Sequence, residues 1–131
     1  MSLARILIAE DDESVRGFVA RALAMDGHAV TTAEDGAEAL DILSRSQRFD
    51  LLLTDIKMPV MDGIALALNA ARDHPDLAIL LMTGFADQRE RAHGLEAIVR
   101  DVILKPFSLA DIRSLVARTL ATVSAASQPA R

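Results

Sequence analysis

Five short apolar runs, each followed by a stretch of helical periodicity, constrain this chain more than any other feature. They fall at 5–9, 28–33, 49–54, 78–82 and 99–104; the second, His28 to Ala33, is the weaker signal, and the others have the length and Ile, Leu and Val content of buried strands. Between them the apolar residues return at helical spacing: Val15, Phe18, Val19, Ala22 and Leu23 within 14–25, then Ala37, Leu40 and Leu43 within 36–45. Ala and Leu fill a further helix over 63–72. Strand and helix in strict alternation predict an α/β fold, a doubly wound five-stranded parallel sheet with five helices.

The breaks agree with this. Asp26-Gly27 stops the first helix, and His74-Pro75 stops the third, because the residue before proline disfavours the helical region. Ser108 with Asp111 three residues on has the form of a capping box, opening a last helix whose buried stripe would be Leu109, Ile112, Val116 and Leu120. The stretch 87–95 carries helix formers with little apolar stripe, so the fourth helix is expected to be the least firmly packed. After Ala121 the composition turns to Ser, Ala, Gln and Pro, which predicts one domain over 4–121 and a flexible tail over 122–131.

Composition excludes several functions. At 131 residues, 51% of them hydrophobic, the chain can bury one aliphatic core without staples, and it has no cysteine for disulfides, thiolate metal sites or thiol catalysis. A net charge of -5 argues against a nucleic-acid surface, which needs clustered Lys and Arg. No apolar run approaches the length of a membrane span, and no signal peptide precedes the first strand, so a cytoplasmic protein is expected.

The informative residues stand where the strands end. In a parallel sheet every carboxyl end lies on one edge, the edge where ligands bind. Four tips can be read together there: Glu10-Asp11, Asp55, Thr83 and Lys105. Acids from neighbouring strands repel unless a cation sits among them, and a hard divalent ion, Mg²⁺ above all, suits all-oxygen ligands. Such an ion prefers a carboxylate or two plus phosphate oxygens, so the set points to phosphoryl chemistry: Asp55 as acceptor, Thr83 donating a hydrogen bond to one phosphoryl oxygen, Lys105 pairing with another.

With these residues in hand, the chain resembles the CheY-like receiver domain of two-component response regulators, a flavodoxin-like fold, from Arg5 to about Ala121. The resemblance implies that Glu10 and Asp11 form the acidic pocket, Asp55 is the phosphoacceptor and the Lys57 backbone carbonyl is a metal ligand. It also implies that Thr83 is the switch hydroxyl and Lys105 the phosphate-binding lysine, with a cis peptide before Pro106. More narrowly the chain is similar to stand-alone CpdR-type regulators, whose family role is phosphorylation-gated control of proteolysis through a Clp-type protease. The implied partners are a histidine kinase or phosphotransfer protein and an output protein, with no nucleic acid and no membrane.

Two departures matter. Val102 stands three before the lysine, where the family usually has an aromatic that swings inward on activation. Arg91, Asp101 and Asp111 resemble parts of the ion-pair network of DNA-binding regulators, but Leu115 replaces its arginine, so a monomer or weak dimer is expected. The main functional expectation is a phosphoacceptor switch that assists its own phosphorylation and dephosphorylation. A competing one is a small phosphatase working through an aspartyl phosphate; it lacks the second acid two residues after the nucleophile, where Lys57 stands. A phosphate-independent receiver is a third, and would be expected to lack the acids or the lysine. Phe85, two after Thr83, is expected at the rim of the site, either covering it against water or contacting a partner.

Overall fold

The computed structural model describes residues 4–45, 48–84 and 94–127. Its elements in chain order are β1 (Arg5–Ala9), α1 (Glu13–Ala24), β2 (Ala29–Ala33), α2 (Gly36–Arg45), β3 (Leu51–Asp55), α3 (Gly63–Asp73), β4 (Ala78–Thr83), β5 (Asp101–Leu104) and α4 (Leu109–Ser127). The five strands form one parallel sheet in the order β2-β1-β3-β4-β5, as the alternation predicts. Four helices occur among the described residues rather than five. The expected helix over 87–95 falls largely outside them, as do Phe85 and Arg91.

The strands are sorted by their own pleat. Leu52 of β3 joins Leu7, Ala9, Ile79 and Leu81 in a core under α2 and α3, while Leu51 and Leu53 join Ile6, Ile8, Leu80 and Met82 in a second core under α1 and α4. Successive side chains point to opposite faces, so strands buried on both are apolar along most of their length; every residue of β3 and β4 is buried, and the polar ones, Thr54, Asp55 and Thr83, stand at the carboxyl ends.

Acids start the helices. Asp12 Oδ1 accepts from the N–H groups of Ser14 and Val15 at 2.9 and 3.1 Å, and Asp62 Oδ1 accepts from Ala65 N–H at 2.8 Å. Ser108 and Asp111 form the reciprocal box before α4, each side chain taking the other's backbone N–H at 3.0 Å. Gly27, at φ 87°, turns the chain from α1 into β2. α4 runs beyond Ala121 to Ser127, where alanine, the best helix former, recurs. Leu115, which the resemblance sets in a surface network, is 5% exposed and packs in the α1/α4 core. No helix among the described residues is long and apolar enough to cross a membrane.

Candidate functional site

The sheet brings the tips together through its register. Leu53 pairs with Ile8, Asp55 with Met82 and Thr83 with Leu104, so the residues that follow each strand emerge at one level of the edge. Asp55 is the last residue of β3 and 6% exposed; Glu10, just beyond β1, is 1% exposed; Thr83, ending β4, is fully buried; Asp11 is exposed. Ile56 N–H donates to Asp55 Oδ1 at 2.9 Å and to the Met82 carbonyl at 3.1 Å in a shared bond, anchoring the acid to its own strand end and to β4.

Lys105 crosses to the acids. Its Nζ donates to Glu10 Oε1 at 2.6 Å and lies 3.2 Å from Asp55 Oδ2. The residue is aimed by its surroundings: Lys105 N–H donates to the Thr83 carbonyl at 2.8 Å, and the cis Lys105-Pro106 peptide leads to Phe107, whose ring packs at a tilt against Phe18 with centroids 6.5 Å apart. Burial works against the ammonium, but the Glu10 hydrogen bond and the charges of Asp55 and Glu10 outweigh it and raise the Lys105 pKa above its ordinary value.

Glu10 feels the opposite imbalance. Burial pushes its pKa up to about 7, against the Lys105 hydrogen bond and with the help of the nearby Asp55 charge. Three acids, Glu10, Asp11 and Asp55, share this edge with the Lys105 ammonium. Glu10, Asp11 and Asp55 can each turn a carboxylate oxygen to within 4.8 Å of the others, a hard all-oxygen donor set that fits a small divalent cation. Lys57 lies in the loop beyond Asp55 with its side chain exposed.

Three residues shape the site in ways the sequence reading did not assign. Asp12 reads as a third acid of the tip, yet its carboxylate is engaged with the start of α1, and its N–H donates to Glu10 Oε2 at 3.2 Å. Arg16 Nη1 donates to the Glu10 carbonyl at 2.9 Å. Gly63 packs directly behind Asp55, and its N–H donates to the Ile56 carbonyl at 2.8 Å. Of these, only the cap had a signal, an acid just ahead of a helical apolar pattern.

Known proteins share this arrangement. The response regulator receiver domain profile matches residues 6–117. The response regulator receiver protein CpdR of Brucella abortus is 42% identical over 116 residues, covering 88% of this chain and 96% of that protein. Response regulator MprA of Mycobacterium avium is 39% identical over 119 residues, covering 88% of this chain and 52% of that protein, so the chain spans about half the length of the MprA relatives it matches. A CheY-like receiver domain protein from Methanospirillum hungatei superposes with a TM-score of 0.88 at 28% identity, covering 96% of this chain and all of that one. Pleat, register and the acid-lysine edge agree with these matches, and the chain belongs to the response regulator receiver domain family.

Proposed function

We propose that the chain is a phosphorylation-controlled switch in which Asp55 accepts a phosphoryl group from a histidine kinase or phosphotransfer protein, changing which protein it binds. In the transfer, an Asp55 carboxylate oxygen forms a bond to phosphorus while the bond from phosphorus to the donor nitrogen breaks, its electron pair leaving with the imidazole. Glu10, Asp11, Asp55 and the Lys57 backbone carbonyl would hold Mg²⁺. When bound, that ion supplies the positive charge the acids and the incoming phosphoryl oxygens require. Lys105 neutralises charge beside Asp55, and the Thr83 hydroxyl serves as hydrogen-bond donor to a phosphoryl oxygen.

The observation that carries this reading is the single ammonium of Lys105 shared by two buried carboxylates, Glu10 and Asp55, at the carboxyl edge of a parallel sheet. An acid group balanced in this way is poised for a second cation and an anion together. Turnover of a free phosphorylated metabolite is disfavoured, since Lys57 stands where a phosphatase of that kind needs a general acid. The likeness to the receiver protein CpdR, 42% identical, supports a response-regulator switch. A Clp-type protease component is the partner this reading favours.

The test is labelling by a small acyl phosphate, read by mass spectrometry. Uptake should need Mg²⁺ and vanish in Asp55→Asn; labelling that survives EDTA or that substitution would sink the assignment. Capture of partners by protein treated with beryllofluoride, against untreated protein, then reads the output, and enrichment of a protease component only in one state would identify it.

A further inference from the structure

Four bonds fix Glu10. Its N–H donates to the Ala33 carbonyl at 3.1 Å, its Oε2 accepts from Asp12 N–H, its Oε1 accepts from Lys105, and its carbonyl accepts from Arg16 Nη1 at 2.9 Å. The last differs in kind, because that carbonyl belongs to the planar peptide that carries Asp11. Whatever aims the Glu10 carbonyl also aims the Asp11 backbone, and with it the exposed carboxylate of the acidic tip.

We propose that Arg16 is a positioning residue for the cation site, setting the Glu10-Asp11 peptide so that the two acids converge with Asp55. This rests on the reading of Glu10, Asp11 and Asp55 as cation ligands. Arg16 suits this role, since its side chain is only 16% exposed and, while Nη1 holds the carbonyl, Nη2 lies 3.7 Å from Glu34 Oε1. Glu34 is 70% exposed, so that ion pair contributes little by itself and serves to steady the far side of the guanidinium. The planar fork gives each acceptor its own nitrogen at a fixed separation; a lysine would have to reach both from one atom and holds neither in a fixed direction.

Positioning and simple charge repulsion differ in the sign of their effect. A cation that was merely a neighbour of the acids would oppose Mg²⁺, and its removal would tighten binding. A positioning residue does the reverse, since loss of an outer partner of a metal ligand typically weakens affinity by about 10- to 100-fold.

The experiment titrates Mg²⁺ into full-length wild type, Arg16→Gln, Arg16→Lys and Glu34→Gln by calorimetry, with urea unfolding of each in metal-free buffer alongside. The expected result is about tenfold weaker binding in Arg16→Gln, an intermediate loss in Arg16→Lys and little change in Glu34→Gln. Tighter Mg²⁺ binding in Arg16→Gln would reduce Arg16 to a repelling charge, and unchanged affinity with lowered stability would make it a purely structural residue; either overturns the proposal while wild-type binding leaves the switch reading standing. Should Arg16→Gln fail to fold, Arg16→Lys carries the same comparison. A wild type that binds no Mg²⁺ would overturn this inference and the cation-site reading together.

Discussion

Gly63 sits with its Cα against the backbone carbonyl of Asp55, so closely that a β-carbon on Gly63 would overlap that oxygen. The first residue of α3 is thus the back wall of the residue at the end of β3. Alanine in a helix is ordinarily more favourable than glycine by about 1 kcal/mol. Here the sign should invert: Gly63→Ala is expected to lower stability by about 1 to 3 kcal/mol through overpacking, and to impair phosphoryl acceptance at Asp55 beyond what the lost stability explains. Urea unfolding beside acyl-phosphate labelling checks both, and a stabilised variant would show that the contact is slack.

Val60 holds φ 70° while 83% exposed, with Met61 N–H closing a tight turn onto the Pro59 carbonyl at 2.7 Å. A β-branched residue in the left-handed region carries a steric cost and here recovers little through burial. Val60→Asn should therefore raise stability by about 1 kcal/mol, visible as a higher urea midpoint at unchanged slope, with labelling of Asp55 unaltered.

Arg113 donates to both carboxylate oxygens of Asp26, tying α4 to the turn after α1. The Arg113 hydrogen bond holds the Asp26 carboxyl below its ordinary pKa. A carboxyl lowered on folding stabilises the fold above its unfolded pKa, about 3.9, and that contribution is lost as pH falls through the folded value. Wild type should accordingly exceed Asp26→Asn in stability near pH 7 by a modest margin that closes in strong acid. A gap independent of pH would assign the effect to packing instead.

Leu115 offers a test of assembly. Restoring the arginine of the DNA-binding regulators with Leu115→Arg should cost about 2 kcal/mol or more, because the side chain belongs to the core between α1 and α4. It should not create a tight dimer. Light scattering is expected to show a monomer for wild type and variant before activation, and a stable wild-type dimer would contradict this.

The fold was legible because β1, β3 and β4 are near-continuous apolar runs, a pattern with few alternatives, whereas β2 with its two threonines was the weaker signal. Its edges were less so. Val99 reads as the start of β5 and is indeed buried, yet the ladder begins only where Asp101 pairs with Leu80; burial and strand pairing are different properties, and hydropathy reports the first. Leu115 shows the converse, since its place one turn from Ile112 sets it in the core whatever a family pattern holds there. At the site, Asp55 and Lys105, proposed to act through their side chains, stood out as an acid and a lysine at strand ends. Arg16 and Gly63 act on backbone oxygens, which every residue carries, so nothing in the string of letters marks their targets.

Glu10 and Lys105 meet across a sequence separation of 95 residues, and the sheet that joins them must be threaded through β3 and β4 in between. The receiving pocket therefore has no local precursor: no fragment, hairpin or early collapsed segment contains it. A nascent, clipped or misfolded chain would be silent, neither attracting the phosphoryl group nor imitating its charged state. On the switch reading, competence to carry the message becomes a certificate of complete folding.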